Sequence, residues 1–223
     1  MAISPKNLRM KLFNNKSKSE RNLEKIKAEL IAVDISGQEV TLKDMEGIKN
    51  FFEKMRNAKI NRFDHLLNLC LIASITSSDI SILNHKIALT KQKLERLFFA
   101  RMLAMIIIEY LNDMNDLLGF KLVKEITSNN YLEFLPKLKE LNSQYSKIRK
   151  THGKLLSTIR NNVAAHKTKD ALSLAKHIDN LNPDEILEMG IEIAQLNIIF
   201  TNETTQIISR IIEEALEKER NSH

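Results

Sequence analysis

The segment Arg160-Asn161-Asn162-Val163-Ala164-Ala165-His166 brings a guanidinium and an imidazole close together along the chain. Histidine has an ordinary pKa near 6.5, so its imidazole exchanges a proton with a hydroxyl group at neutral pH. A guanidinium donates several N–H groups and stabilises the negative charge that develops on a phosphoryl group. Arg160 and His166 therefore predict acid–base chemistry on a phosphodiester.

The charged residues around this segment are all basic. Between residues 141 and 169 the chain carries seven Lys or Arg and no Asp or Glu, whereas its overall charge is only +6. A local excess of this kind predicts a surface for an anionic group such as a phosphate. Its candidate members are Lys147, Arg149, Lys150, Lys154 and Lys167.

A helical winding of 100° per residue separates these side chains into faces. Ile148, Leu155, Ile159 and Val163 form an apolar stripe, and Lys147, Lys150 and Lys154 lie opposite it. Arg149 and Arg160 fall within about 20° of each other on the border between the two faces. This border suits a phosphate clamp, since packing holds the stem of the arginine while its head faces an anion.

His166 is the exception to this pattern. On an unbroken helix it would project into the apolar stripe, about 120° around the axis from Arg160 and about 9 Å along it. A shared site therefore requires one of two arrangements. Either the helix loosens after Arg160, which Asn161 and Asn162 permit, or the partner group comes from a second subunit.

The elements that must position these residues are helices. Gly (5) and Pro (3) are scarce in 223 residues, and straight-chain side chains abound, so an all-α helical bundle with long central and C-terminal helices is expected. Residues 1–40 are predicted to form a basic N-terminal arm and helix. Residues 41–223 are predicted to form the bundle, with the core that surrounds the basic segment at about 78–217.

Capping and turn signals predict where the helices begin and end. Helices are expected at about 41–58, 61–76, 78–118, 131–141 and 142–165. Ser77-Ser78-Asp79 is the expected start of the long central helix and Gly119 its expected end. The last helix is expected to begin at Asn182 and Pro183, a capping residue followed by a proline at the first helical position.

The last helix carries an apolar stripe of about 33 residues, or about 50 Å. Such a stripe is longer than a compact bundle needs, so it predicts pairing with a helix of a second copy and hence a homodimer. Its members recur at helical spacing: Ile186, Met189, Ile193, Leu196, Phe200, Ile207, Ile211 and Ala215.

The remaining composition bounds the class of protein. Cys70 stands alone in an apolar run, so it is expected to be buried and inert in a reducing compartment. The longest apolar run, 102–108, is far shorter than the roughly 20 residues that span a bilayer. The sequence shows neither a metal-ligand cluster nor a glycine-rich phosphate loop. A cytoplasmic protein without a cofactor or a metal ion, and without a membrane partner, is expected.

The segment from Arg160 to His166, placed between helices, resembles the signature of the HEPN superfamily, in which a polar residue often follows the arginine. The resemblance implies a helical bundle, a dimer that brings two Arg/His pairs together, and metal-independent RNA cleavage. It also implies that Asn161 orients Arg160 or His166 by a hydrogen bond. The RNA-binding residues would then be Lys147, Arg149, Lys150, Lys154 and Lys167. Many members are toxins with an antitoxin partner, or phage-defence (abortive infection) effectors. Others bind without catalysis, so a non-catalytic dimerisation, partner-binding or nucleic-acid-binding protein is the alternative. Thr168 departs from members that carry a tyrosine two residues after the histidine.

Overall fold

The chain was analysed as a computed structural model, which describes residues 42–57, 59–161 and 170–221. The chain divides into two units between Val40 and Thr41, and every described residue belongs to the second. The expected N-terminal arm therefore lies outside the described residues. Over the described ranges the fold is an all-α helical bundle without strands, which confirms the predicted fold class.

The helices are named here in chain order, with short 3₁₀ and π turns between them. The first, α1, comprises residues 42–57. The others are α2 (Asp64–Leu89), α3 (Lys93–Asp116), α4 (Val123–Ser128), α5 (Leu135–Ile159), α6 (Ala171–Asp179) and α7 (Pro183–Arg220). A π-helical turn (Leu117–Leu122) joins α3 to α4, and a 3₁₀ turn (Leu132–Phe134) leads into α5.

The predicted break at Ser77-Ser78-Asp79 is wrong. Residue 77 lies in the middle of α2, which continues because Ala73, Ile80 and Ile87 keep one inward face buried across this stretch. The break comes instead at residues 90–92, where Thr90 has extended backbone geometry and its hydroxyl donates to Glu95. Serine favours helix caps, and this preference was the basis of the prediction. Here the burial of an apolar face on both sides of the serines keeps the helix continuous.

Two further boundaries differ from the prediction. Gly119 does not end the central helix, since it lies inside the π turn that continues into α4. A Cβ atom there would come within 3.1 Å of the amide nitrogen of Asn142, so glycine permits a close approach to α5. The predicted junction at 141–142 is absent, because Leu141 and Tyr145 keep the same face of one continuous helix buried.

The four long helices form two layers. α3 packs against α2, α5 and α7, and α5 also contacts α7. One layer is the pair α3 and α5, and the other is the pair α2 and α7. The helices of the second layer run antiparallel, since Ser77 contacts Asn197 while Asn84 lies beside Gly190.

A buried polar cluster joins the four long helices at one level. The hydroxyls of Tyr110 (α3) and Tyr145 (α5) both donate to Oδ1 of Asn197 (α7), at 2.8 and 2.6 Å. The amide of Asn197 donates to Ser77 Oγ (α2) at 2.7 Å. The two tyrosine rings meet edge to face, with centroids 5.9 Å apart. Burial raises the pKa of both tyrosines, so both remain hydroxyl donors at neutral pH.

The apolar stripe of the last helix is buried within its own chain. Asn182 Oδ1 accepts from the backbone N–H of Asp184, so the predicted N-cap is confirmed. Among the described side chains of the stripe, those from Ile186 to Ile211 pack into the core. These side chains are therefore covered by their own chain, and the predicted homodimer stays a prediction. The stripe is buried over this length because α2, α3 and α5 all pack against α7.

Cys70 and α2 complete the core. Cys70 is buried, as predicted, and burial raises the pKa of its thiol to about 12, so the thiolate is not populated at neutral pH. Among the described helices, α2 alone is long and apolar enough to cross a bilayer by length and composition. Only 33% of its most apolar window is buried in the bundle.

Glu125 on α4, about sixty positions along the chain, caps the N-terminus of α2. Its carboxylate accepts from the backbone N–H groups of His65 (2.9 Å) and Leu66 (2.8 Å). These are donors that the first turn of a helix leaves without an intrahelical partner. Burial raises the pKa of Glu125, although the two N–H donors oppose the shift. The side chain therefore couples folding to pH.

Substitution of Asn197 by Ala should destabilise the fold by about 2–4 kcal/mol, because it leaves two buried tyrosine hydroxyls and Ser77 without their partner. Urea unfolding measures this loss, and Gln206→Ala on the exposed side of the same helix is the control. Adding Tyr110→Phe and Tyr145→Phe should recover part of the loss. A loss no larger than that of Gln206→Ala would contradict a structural role for the cluster.

The raised pKa of Glu125 predicts how stability changes with pH. The folded protein holds this proton to a higher pH than the unfolded chain, whose glutamate has a pKa near 4.5. Between those two values, unfolding free energy should fall as pH rises, by at most about 1.4 kcal/mol per pH unit. Urea titrations from pH 4 to 7 should show this slope in the wild type and lose it in Glu125→Gln. An identical slope in both proteins would assign the effect to other groups.

Candidate functional site

The basic surface lies on the outer side of α5. The described members of the predicted RNA-binding set on this helix, Lys147, Arg149, Lys150 and Lys154, are all exposed. Inward on the same helix, Tyr145, Ile148, Leu156 and Ile159 are buried. The division into faces predicted from the winding is therefore confirmed for α5. The helix contributes six basic residues and one acidic residue between Leu135 and Ile159.

Arg160 follows the last residue of α5 and forms an ion pair across the layer. Its Nε lies 2.8 Å from Oε1 of Glu109 on α3, and the two side chains are 39% and 55% exposed. The guanidinium is thus held at the surface by a carboxylate and still open to solvent. An arginine in this state can exchange one anionic partner for another.

The other members of the motif stand differently. Asn161 is exposed and continues the widened turn that begins at Arg160. Val163, His166 and Lys167 lie outside the described residues, which end at 161 and resume at 170. The convergence of Arg160 and His166 therefore stays a prediction. The widened turn agrees with the first of the two arrangements, in which the helix loosens after Arg160.

A cleft on the seam between α3 and α5 lies on the same side as two of the predicted cations. It has a volume of about 360 Å³ and is lined by Asn115, Ser146, Arg149 and Lys150. Two amide or hydroxyl groups beside two cations form a suitable subsite for a phosphate and its sugar. Lys147 and Lys154 are not among its lining residues, so the predicted set divides between the cleft and the open surface of α5.

Spacing along the chain does not reveal that Glu109, Asn115 and Ser146 are neighbours of the basic surface of α5. Tyr110, the residue after Glu109, is buried and bound to Asn197. The signal that would have placed them is the antiparallel register of α3 and α5. That register depends on the contact of Tyr110 with Tyr145, which spacing within one helix does not reveal.

A second cleft, of about 400 Å³, lies at the end of the bundle near the π turn. Its lining includes Arg62, Lys121 and Lys124 beside the exposed ring of Phe120. Lys121 is already paired with Asp116 at 2.7 Å, and Glu125 in the same cleft caps α2. These cations are therefore partly neutralised by carboxylates.

Comparisons of this chain with protein-family models, with curated proteins and with solved structures find no match. The resemblance to the HEPN superfamily therefore rests on the residues from Arg160 to His166 and on the helical setting.

The exposure of the Arg160–Glu109 pair predicts a small contribution to stability. Arg160→Ala and Glu109→Gln should each change the unfolding free energy by less than about 1 kcal/mol, because solvent screens a half-exposed pair. Urea unfolding at low and high salt measures this, with Asp113→Asn, one turn further along α3, as the control. A loss of several kcal/mol for Arg160→Ala alone would make Arg160 a structural residue instead of a site residue.

Proposed function

We propose that this chain is a metal-independent endoribonuclease of the HEPN type, a toxin or phage-defence effector in which Arg160 and His166 act on an RNA phosphodiester. The observation that carries the proposal is the half-exposed guanidinium of Arg160 at the end of a helix whose outer side is basic. RNA backbone binding requires such a surface, and phosphoryl chemistry requires such a group beside it.

The reaction uses the ribose next to the cleaved bond as its nucleophile. His166 accepts the proton of the 2′-hydroxyl while that oxygen bonds to phosphorus, and the bond from phosphorus to the 5′-oxygen breaks. The leaving 5′-oxygen takes up a proton from water, and His166 later returns the proton it accepted to the solvent, so the products are a 2′,3′-cyclic phosphate and a 5′-hydroxyl. Arg160 stabilises the charge on the non-bridging oxygens, and Asn161 orients one of the two residues by a hydrogen bond.

Glu109 orients the guanidinium of Arg160 before RNA binds. With a carboxylate oxygen 2.8 Å from its Nε, the guanidinium is aimed along the seam between α3 and α5. A phosphate oxygen of the bound RNA then replaces the carboxylate as the partner of Arg160. Glu109 is a positioning residue in this scheme, because it acts through Arg160 and not on the substrate.

The cleft beside Arg149 holds a part of the strand away from the cleaved bond. Arg149 and Arg160 lie on the same edge of α5, about 16 Å apart along its axis. Arg149 and Lys150 neutralise phosphates there, while Asn115 and Ser146 offer hydrogen bonds to ribose. Lys147, Lys154 and Lys167 add long-range attraction for the backbone. An antitoxin protein that covered this seam would block the site.

A non-catalytic dimerisation or binding protein is the second candidate function. The observation that favours it is a set of isoleucines exposed on the outer side of α2 and α7, on the opposite layer from Arg160. Exposed apolar side chains that cluster on one face are typical of protein interaction surfaces.

RNA cleavage in EDTA tests the first proposal. With end-labelled single-stranded RNA, the wild type should yield 2′,3′-cyclic phosphate ends, and Arg160→Ala or His166→Ala should slow cleavage at least about 100-fold. The matched control is Arg149→Ala, on the same edge of α5. This variant should weaken RNA binding and reduce the slope of log K against log salt concentration by about one. The cleavage rate at saturating RNA should stay the same.

Two outcomes would contradict the nuclease proposal. Cleavage that survives both Arg160→Ala and His166→Ala would assign the activity to another group or to a contaminant. RNA that binds with the expected salt dependence but stays intact with the wild type would make the chain a binding protein.

A further inference from the structure

The last helix carries a second apolar stripe, separate from the one that packs into the core. Ile191, Ile198, Ile212 and Leu216 are all exposed, and Ile198 is 63% exposed. With 100° per residue they lie within about 60° of one another, on a side of α7 that its own bundle leaves open. Between Leu187 and Leu216 this side repeats at alternating steps of about three and four residues, which is the spacing of a coiled-coil seam. Two of its members, Leu187 and Ala194, are partly buried against the core of their own chain.

The neighbouring helix adds apolar side chains beside this stripe. Ile75 and Ile82 on α2 are exposed and lie within about 20° of each other around its axis. Counted around each axis from the bond between Ser77 and Asn197, the α7 stripe lies about 100° away and the α2 pair about 150° away, both on the side opposite α3, so their directions differ by about 70°. The outer face of this layer is defined here by Ile75, Ile82, Ile191, Ile198, Ile212 and Leu216, with the α7 stripe at its centre and the α2 pair at its edge.

The scarcity of charged residues on α2 is typical of a helix whose outer side is covered by a partner. From 65 to 84 its only Asp, Glu, Lys or Arg is Asp79, and the helix is apolar enough to pass for a membrane span by length and composition. A membrane surface is nevertheless a poor occupant. α7 holds nine acidic and three basic residues between Pro183 and Arg220, and acidic helices are repelled by anionic lipid headgroups.

The stripe on α7 is complementary to itself when the helix is reversed. In an antiparallel contact between two copies of α7, residues that are equally far from the centre of the contact meet each other. If the centre lies between Thr201 and Asn202, every stripe residue before it meets a stripe residue after it. Such a contact sets leucine against leucine, isoleucine against isoleucine, small against small, and large against small. The pairs are Leu187 with Leu216, Ile191 with Ile212, Ala194 with Ser209, and Ile198 with Thr205.

The size of the face also matches what a dimer needs. Two helices about 40 Å long, at about 10 Å each in width, cover roughly 800 Å² per protomer. Stable protein–protein interfaces bury about this much on each partner. Acidic residues such as Glu188 flank the stripe instead of interrupting it, so their repulsion weakens the contact at low salt without blocking it.

We propose that this face is the contact of a twofold symmetric homodimer, in which α7 meets α7 of the second copy in antiparallel orientation about a point between Thr201 and Asn202. The inference depends on the α2–α7 layer alone and stands whether or not the chain cleaves RNA. Arg160 and the cleft lie on the opposite layer, so this dimer keeps the two sites apart. It thereby differs from the dimer that the family resemblance implies.

Analytical ultracentrifugation of the full chain at about 1–100 µM tests the contact. The wild type should sediment as a dimer, at twice 25.7 kDa, and more completely at 0.5 M than at 0.05 M NaCl. Ile198→Glu should raise the dissociation constant at least about 30-fold, because the charge would be buried against Thr205 of the second copy. The matched control is Ile199→Glu, on the adjacent residue, which is 36% exposed and faces another side of α7.

Several results would overturn the proposal. A wild type that stays monomeric at 100 µM would leave this face to a different partner protein. A dimer that Ile198→Glu leaves intact would have its contact elsewhere, and so would one that Ile198→Glu and Ile199→Glu weaken equally. Circular dichroism establishes that each variant is folded, and Thr205→Glu provides a second substitution at the same contact.

Cysteine crosslinking tests the orientation. The double variant Ile191→Cys, Ile212→Cys should form a covalent dimer on mild oxidation, because residue 191 of one copy meets residue 212 of the other. Each single variant should remain largely uncrosslinked, and Cys70 should not react because it is buried. A covalent dimer formed by Ile191→Cys alone would mean that the helices are parallel and would overturn the antiparallel arrangement.

Discussion

The hydrogen bonds of Asn197 are the constraint on which the rest of the bundle depends. One amide accepts from Tyr110 and Tyr145 and donates to Ser77, so it joins α7 to each of the other three long helices at one level. Apolar side chains alone would allow these helices to slide by a turn, because leucine and isoleucine pack against one another in several registers. A buried amide with several partners leaves one arrangement in which all polar atoms are paired. That arrangement places Glu109, the residue before Tyr110, opposite Arg160.

The sequence allowed the features that repeat within one helix to be predicted. The all-α fold, the N-cap at Asn182 and the inward and outward faces of α5 all follow from local spacing and capping chemistry. The features that depend on contacts between distant residues could not be predicted. Glu109 beside Arg160 and Glu125 on the first turn of α2 are examples, since each joins residues more than fifty positions apart. The break at Ser77 was predicted wrongly for the same reason, because the buried face of α2 that includes Ala73 and Ile80 packs against helices distant in sequence.

The ion pair at Arg160 changes what the motif alone suggests. A sequence presents Arg160 as a free cation, whereas the fold supplies a carboxylate at 2.8 Å. A phosphate that binds through Nε of Arg160 displaces Glu109, and the gain on binding is then the difference between two anionic partners. Such a pair favours ligands that contact several cations at once, because a single phosphate gains little from the exchange. The cleft with Arg149 and Lys150 provides those further contacts for a polymer.

The two layers of the bundle differ in charge, and this difference separates what each layer can bind. α5 carries six basic residues and one acidic residue, while α7 carries nine acidic and three basic. A polyanion such as RNA is attracted by the charge of α5 and repelled by that of α7. On α7, acidic residues flank the uncharged seam that contains Ile191, Ile198 and Ile212, so this seam suits a protein contact better than a nucleic acid. The proposed self-association on one layer and the proposed nucleic-acid binding on the other would not compete, since neither partner would cover the residues that the other needs.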